Sequence, residues 1–506
     1  MKSDKDLYRL LRSMPGEKLW KEEVARFDQA DAKERNERVA VIRAVGVVFA
    51  ATGTAAQRAE VKAWLVRLLK DPSEKVRRYA MAAIPKIRSV PGAEEQMISL
   101  LTPTTGEREK KYVGRALDKI GGPEALRAVS GLLPQTEQKV KAAVARAEKP
   151  SEVRLDRTFI PSERLLIHLR CRQGLEKLVR AEVEALVAKQ GRFRVLAQQR
   201  CYVAITPTGP FSLSDLYQLR CFATIGFELG VAKPGNVEEI AGLVVSPLAR
   251  KLMKAFTDGS LRYRLDFVAK GHQRGAVRQV ANRAFAMCPE ILNDPRIAPW
   301  SMDIHPTPRG TLVELRPRIY PDPRLGYRVG DLPASSHPPL AACMARLAGP
   351  GEGEVVWDPF CGSGLELIER ALLGGVARII GTDVSTEAII KAKDNVAAAK
   401  LTGVESTFVL SDFRKFEAME GLGPGTVSLI ITNPPMGRRI RIQDMKGLYA
   451  DFFAAAARAL KPGGRLVFPN PLHQEPVDRT LKLEYRQSVD LGGYVCRLEM
   501  YRKALT

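Results

Sequence analysis

The stretch Val427-Ser-Leu-Ile-Ile-Thr-Asn-Pro-Pro-Met-Gly-Arg-Arg439 leaves this chain fewer folding options than any other. A continuous apolar run that stops at Asn433-Pro434-Pro435-Met436-Gly437 is the pattern of a fully buried parallel strand ending in a rigid loop. In open α/β sheets, the loops at the carboxyl ends of strands are where ligands bind. Pro434 and Pro435 fix φ and remove two N–H donors, so the loop offers the Asn433 side chain and backbone carbonyls as preset acceptors. Such a loop suits an amino group. Taken alone, the stretch fits an ordinary strand-ending turn as well.

The residues ahead of it repeat the pattern. Pro338 to Leu347 reads as a helix leading into a first strand, Glu354-Val-Val-Trp357, and Asp358-Pro-Phe360-Cys-Gly362-Ser-Gly364 follows before a helix from Leu365 to Leu372. Strand, Gly-x-Gly and helix in succession let backbone approach a nucleotide-like ligand closely. Ala377 to Asp383 is a second apolar strand whose closing acid falls about 19 residues after Gly364, the spacing at which a carboxylate meets ribose hydroxyls. Phe408 to Asp412 is expected as a third strand, Leu429 to Asn433 as a fourth, and Lys461 to Phe468 as a turn and fifth strand. Arg486 to Asp490 and Val495 to Tyr501 are expected as a closing antiparallel hairpin. This alternation predicts a doubly wound α/β C-terminal domain. NAD is the rival ligand, but redox chemistry would want a proton donor, and no histidine stands beside these loops.

A Gly-rich loop, Asp383, Asp412 and Asn433 at four successive strand ends resemble the seven-stranded S-adenosylmethionine-dependent methyltransferases. Asp358 to Gly364 together with Asn433-Pro-Pro-Met436 resembles the subset that methylates exocyclic or amide nitrogen. By that resemblance Gly362 and Gly364, flanked by Asp358 and Phe360, wrap the methionine portion of the cofactor, Asp383 holds the ribose, and Asp412 meets the adenine amino group. Asn433, Pro434, Pro435 and Met436 would form the catalytic loop. DNA adenine methyltransferases and release-factor glutamine methyltransferases share it. Gly174-Leu-Glu176, the basic element from Arg264 to Phe285, and Gly326-Tyr-Arg328 ahead of Pro338-Pro-Leu-Ala-Ala342 resemble the THUMP-containing RNA guanine-N2 methyltransferases, over roughly residues 160 to 506. The loop is nearest the branch acting on guanosine at position six of tRNA, and the 23S ribosomal RNA branch has the same domain order. That family usually has an aromatic residue where this chain has Met436. Met covers a base with less geometric control.

The resemblance implies that the target base leaves its stack and that N2 is held in line by acceptors, here the Asn433 side-chain oxygen and the Pro434 carbonyl. It also implies a ferredoxin-like domain at residues 160–230, a THUMP RNA-binding domain at 231–325 and a Rossmann-like methyltransferase domain at 326–506. Residues 1–150 read as helical throughout. Asp71 to Ile87, Glu109 to Gly121 and, more faintly, Arg38 to Gly46 carry a recurring amphipathic theme that resembles HEAT repeats. A plain helical bundle fits these residues too. The fold expected is therefore multidomain, with an all-α HEAT-like N-terminus, an α+β middle and an α/β C-terminus.

Charge supplies the partner. With 79 Lys and Arg against 57 Asp and Glu, the formal net charge is +22, the imbalance expected of a protein that meets a polyanion. Arg262, Arg264, Lys270, His272, Arg274, Arg278 and Arg283 cluster in one strand, turn and helix start beside Gly271 and Gly275, which suits phosphate. Arg264, Lys270, Arg274, Arg278, Arg438 and Arg439 are the RNA-binding candidates; a solvated charged face is the alternative. RNA, with tRNA ahead of ribosomal RNA, is the expected partner, and the helical N-terminus has room for a protein partner.

Seven cysteines and five histidines are scattered singly with no Cys-x-x-Cys pair, so neither a disulfide framework nor a metal centre is expected. His337 and His473 receive no role. Met-Lys-Ser-Asp-Lys-Asp is no signal peptide, and Val39 to Ala56, interrupted by Arg43, reads as a packed helix and not a membrane span. A cytoplasmic location is expected. A non-catalytic RNA-binding or assembly protein with a methyltransferase fold is the reading from another class.

Overall fold

The computed structural model describes residues 4–87, 93–102, 105–129, 134–148, 151–268, 273–333, 335–437 and 443–505. They divide into two compact units, one made of residues 1–153 with 229–313, the other of 154–228 with 314–506.

In the first unit the N-terminal residues are helical, as their composition predicts. Ala40–Thr52, Glu74–Ala83, Glu107–Ile120 and Pro134–Glu148 pack each against the next along the chain, while Ala55–Leu68, Ala93–Ser99 and Pro123–Val129 lie between them in sequence. The apolar run expected to be a packed helix is one, with Val41, Ile42, Ala44, Val45 and Phe49 buried and Arg43 exposed over the Tyr8 ring. Gly46 permits close approach to the next helix, since a Cβ there would lie 2.8 Å from Ala83 Cβ. No described helix is long and apolar enough to cross a membrane. Residues 229–313 add helices Val237–Val244, Pro247–Phe256 and Arg274–Met287 to strands Arg262–Phe267, Trp300–Thr307 and Gly310–Pro317. Val237–Val244 and Pro247–Phe256 are separated at Ser246-Pro247, where proline starts a new helix under a serine cap. The strand Trp300–Thr307 was not expected, although Trp300, Met302 and Ile304 alternate with Ser301, Asp303 and His305; it pairs in parallel with Arg262–Phe267.

In the second unit, strands Phe193–Gln199, Tyr202–Pro207, Ile167–Arg170 and Thr224–Ala232 pair antiparallel, with the helix Glu176–Gln190 beside them. The C-terminal sheet has seven strands: β1 Glu354–Asp358, β2 Val376–Asp383, β3 Glu405–Leu410, β4 Val427–Ile431, β5 Leu460–Asn470, β6 Leu481–Asp490 and β7 Val495–Lys503. Their order is β3-β2-β1-β4-β5-β7-β6, with β1 to β5 parallel and β7 antiparallel to both neighbours. The expected hairpin therefore closes the sheet. Helices α1 Pro338–Ala348, α2 Leu365–Ala371, α3 Thr386–Ala399 and α4 Met445–Ala459 accompany it.

Every residue of β4 is buried, as a strand covered on both faces must be. Phe452 and Phe453 each meet Phe468 edge to face beside Tyr449 and Tyr501, so truncating Phe452 would cost about 3–5 kcal/mol. Two sequence expectations shift. The third strand ends at Leu410, before Asp412, and the turn expected at Lys461 to Gly464 is a bulge inside β5, which pairs Val427 with Leu460 but Leu429 with Arg465. The strand order reverses between β1 and β4, which places Asp358 and Asn433 at the switch point where doubly wound sheets bind ligands.

Candidate active site

The loop after β1 is shaped by two left-handed glycines. Gly362 (φ +50°) has nothing within 4 Å of where a Cβ would sit, so its backbone is open to a ligand. Gly364 (φ +78°) serves packing, with a Cβ there 3.3 Å from Ala392 Cβ on α3. The Cys361 N–H donates to the Thr382 carbonyl at 2.9 Å, tying the loop to β2.

Asp383 closes β2 and organises this loop: its Oδ2 accepts from the Gly362 N–H at 3.0 Å and its Oδ1 from the Ser385 N–H at 2.9 Å. Val384, 75% exposed, and Leu410, 53% exposed, are apolar residues left open at the ends of β2 and β3, as a site for a flat base requires. Asp412 lies just past β3 as the cap of the 3₁₀ segment Phe413–Ala418; its carboxylate accepts from the Arg414 N–H at 2.9 Å and pairs with the Arg414 guanidinium at 2.9 Å. Half-buried Phe360 packs against Phe413 with ring centroids 4.9 Å apart.

Asp358 is fully buried. Its Oδ1 accepts from the Phe360 N–H at 3.0 Å, and its Oδ2 is buried with no hydrogen-bond partner among the described residues. Burial, then the neighbouring Glu366 carboxylate, holds its pKa well above the usual carboxylate range. Glu366 is raised too, chiefly by burial. Three acids around an open glycine backbone, one with an unanswered oxygen, form a cradle for a cation that brings its own N–H donors. S-adenosylmethionine, with an ammonium and a sulfonium, fits that donor set.

At the end of β4, the Asn433 Nδ2 donates to Ser336 Oγ at 2.7 Å, while its Oδ1 is buried with no partner among the described residues. Pro434 is buried, and Pro435 and Met436 are half-buried. The Tyr449 hydroxyl donates to the Pro435 carbonyl at 3.3 Å, fixing the loop from α4. Gly437 (φ +72°) turns the chain beside Met445. Arg438 and Arg439 lie outside the described residues.

The sequence-predicted cofactor and catalytic positions are thus gathered at one edge of one sheet. The basic element is less uniform. Arg274 and Arg278 stand exposed on the helix Arg274–Met287 and, with Lys139 and Arg296, rim a groove of about 470 Å³ floored by Phe267 and Val277. Arg264 is half-buried. Arg262, grouped with them on sequence, is completely buried and paired with Asp294 at 3.3 Å, because it sits on the inward side of its strand. Arg283 is paired with Glu238. Lys270, Gly271 and His272 lie outside the described residues.

Sequence reasoning missed Ser336 and Glu366, which carry no motif. It also missed the role of Gly326-Tyr327-Arg328. The Tyr327 hydroxyl donates to Glu369 at 2.5 Å, and Arg220 grips the same carboxylate through Nε and Nη2 at 2.7 and 2.8 Å, binding residues 154–228 to the catalytic domain. His337, capping α1, is pushed down to about 4 by burial and then by nearby arginines, so it is neutral at physiological pH.

Residues 325–487 match the RMKL-like methyltransferase domain. The chain is 30% identical over 171 residues to a tRNA (guanine(10)-N2)-dimethyltransferase of Methanothermobacter thermautotrophicus, covering 33% of this chain and 48% of that protein. It is 30% identical over 132 residues to a probable enzyme of the same name from Methanothermococcus thermolithotrophicus, covering 26% and 77%. It is 27% identical over 205 residues to a tRNA (guanine(6)-N2)-methyltransferase of Archaeoglobus fulgidus, covering 35% and 50%. The aligned part spans about half the length of the first two curated relatives, 48% and 47%. Among solved structures, TrmN from Thermus thermophilus superposes with a TM-score of 0.52 at 20% identity, covering 67% of this chain and 99% of that one, which establishes a shared fold. The seven-stranded sheet, the glycine loop at its switch point and these likenesses agree: through its C-terminal domain the chain belongs to the RMKL-like methyltransferase family.

Proposed function

We propose that this protein transfers a methyl group from S-adenosylmethionine to the exocyclic N2 of a guanosine in structured RNA, with tRNA the preferred substrate. The observation that carries the proposal is the Asn433 amide, whose nitrogen is committed to Ser336 and whose buried oxygen has no partner among the described residues. A buried acceptor without a donor costs about 1–3 kcal/mol, so a ligand that brings an N–H to it gains that much in complementarity. Guanine N2 brings two. The relatives' names supply the substrate: each of the three is called a tRNA guanine-N2 methyltransferase or dimethyltransferase.

When bound, S-adenosylmethionine supplies an electrophilic methyl group. The chain's own residues hold and orient. Gly362 presents backbone to the cofactor, Asp358 offers its free oxygen to a cationic donor, and Asp383 meets the ribose while it braces the loop. Asp412 meets the adenine only by sharing a carboxylate already bonded to Arg414. Asn433 Oδ1 and the Pro434 carbonyl accept the N2 hydrogens, which turns the nitrogen lone pair toward the methyl group and stabilises charge developing on N2. No strong base acts before attack, because the methylated amine is acidic enough to release its proton afterwards. Met436 covers the base that has left its stack.

In the same reading, residues 231–325 form a THUMP domain whose exposed Arg274 and Arg278 hold RNA phosphate, and the N-terminal helices form HEAT-type repeats with a protein partner, in a cytoplasmic enzyme. The test is methylation of total tRNA by the purified protein with labelled cofactor, followed by nucleoside analysis. N2-methylguanosine is the expected product. Label in DNA adenine or protein glutamine, with none in RNA, would sink the reading; label in ribosomal RNA alone would move it to the other branch.

A further inference from the structure

Ser336 reaches the catalytic loop from a segment that none of the strand-end motifs marks. Three sets of bonds seat that segment against the glycine loop. The Gly330 N–H donates to Asn395 Oδ1 at 2.8 Å, and the Gly330 carbonyl accepts from Asn395 Nδ2 at 2.9 Å. The same Nδ2 donates to the Ser363 carbonyl at 2.9 Å, and the Ser335 and Ser363 hydroxyls lie 3.3 Å apart. Ser336 Oγ then donates to Glu366 Oε1 and accepts from Asn433 Nδ2. Glu366, 4% exposed, stands in the first turn of α2.

The direction of these bonds is forced from one end. In its ionised form Glu366 can only accept, and it then takes the hydroxyl hydrogen of Ser336. The hydroxyl is left with lone pairs toward Asn433. The amide answers with its NH₂ group, and Oδ1 must face the pocket. With Ser336 absent, nothing described holds the amide this way round, and a half-turn would set N–H groups against the N–H groups of an incoming amine.

We propose that Ser336 and Glu366 are positioning residues that set the amide orientation of Asn433, and through it the acceptor offered to an exocyclic amine. The proposal rests on the function proposed above. Neither residue touches substrate. The relay needs Glu366 ionised, since a protonated Glu366 could donate to Ser336 and let its hydroxyl hydrogen turn toward Asn433. The charged groups that act on Glu366 are Asp358 at the end of β1, Glu369 on its own helix and Arg328 on the incoming segment, with Asp383 acting on Asp358 from the end of β2. His337, next to Ser336, is neutral. Falling pH should therefore slow methyl transfer through Glu366.

The test uses the full chain and tRNA, with single-turnover rates from acid to neutral pH for wild type, Ser336→Ala, Ser336→Thr and Glu366→Gln, and cofactor affinity by calorimetry. Ser336→Ala should lower the transfer rate about tenfold, the scale of one lost orienting hydrogen bond, with cofactor affinity within about twofold of wild type. Ser336→Thr, which keeps the hydroxyl, should restore most of that rate, and Glu366→Gln should lose the acid limb of the pH profile. A Ser336→Ala rate equal to wild type, a Thr variant as slow as the Ala variant, or an unchanged acid limb in Glu366→Gln would each overturn the relay. Wild-type protein that leaves RNA guanosines unmethylated overturns the function reading and the relay with it. An active wild type matched by Ser336→Ala overturns the relay alone.

Discussion

The strand-end loops of the catalytic sheet and the basic element at residues 262–283 were both singled out from sequence, and they fared differently. Every loop residue expected at the cofactor site stands at the carboxyl edge of the sheet, and each of Asp358, Asp383 and Asn433 is fixed by a named hydrogen bond. In the basic element, Arg262 is buried against Asp294 and Arg283 is occupied by Glu238, while Arg274 and Arg278 are exposed. The difference lies in what the pattern constrains. Apolar runs, prolines and glycines dictate where backbone can go, whereas a run of arginines says nothing about which side of a strand each one takes.

Experiments on the two regions should separate in kind as well as size. Asn433→Ala should lower the methyl-transfer rate about 10²–10³-fold, the usual effect of removing one preorganised partner of the reacting group, while cofactor affinity is kept. A full rate in single turnover would remove the loop from the mechanism. Asp383→Ala, which frees the Gly362 N–H and opens the loop, should weaken cofactor binding by about tenfold or more, read by calorimetry. In the basic element, Arg274→Glu with Arg278→Glu should raise the KM for RNA several-fold at low salt and leave kcat unchanged, with the effect shrinking as salt rises. A change in kcat with KM untouched would place these arginines in the wrong class. Met436→Phe should raise turnover by about twofold if base stacking is what methionine supplies poorly, and a slower variant would show that the loop is packed for methionine.

The smallest effect expected is on stability. Burial disfavours charge on His168, but Glu228 at 3.2 Å and Glu314 at 2.5 Å outweigh it, so its folded pKa is raised above the ordinary 6.5. The folded protein therefore holds this proton more tightly than the unfolded chain. That stabilisation is complete below the unfolded value and is lost as pH rises through the folded one. His168→Gln should flatten the fall in Tm on the alkaline side of neutrality, and an unchanged Tm profile would show that His168 is not its source.

Legibility followed the same division. The strands β1 to β5 were visible because buried parallel strands need continuous apolar runs, and the closing hairpin because its apolar positions recur at intervals of two. Trp300–Thr307 escaped notice although Trp300, Met302 and Ile304 alternate with polar residues, because the alternation is short and stops at Pro306, while the strand's polar positions Ser301 and Asp303 are buried as well. The Lys461 to Gly464 bulge looked like a turn because Pro-Gly-Gly serves either. Asp412 was expected to close the third strand but lies two residues past its end, and its pairing with Arg414 depends on side-chain direction after a 3₁₀ turn.

Sequence alone settled that a parallel sheet carries acid-, glycine- and asparagine-bearing loops along one edge, because strand burial and proline geometry are local and admit few alternatives. It did not settle what turns those loops into a site. Ser336 and Glu366 stand 97 and 67 residues before Asn433 in the chain and meet it through the Ser336 hydroxyl, which is bonded to a buried carboxyl group. Such a contact leaves no periodicity or spacing behind. It exists only once the α1 approach, the glycine loop and the end of β4 have been packed together, and that packing decides which atom of Asn433 faces the pocket.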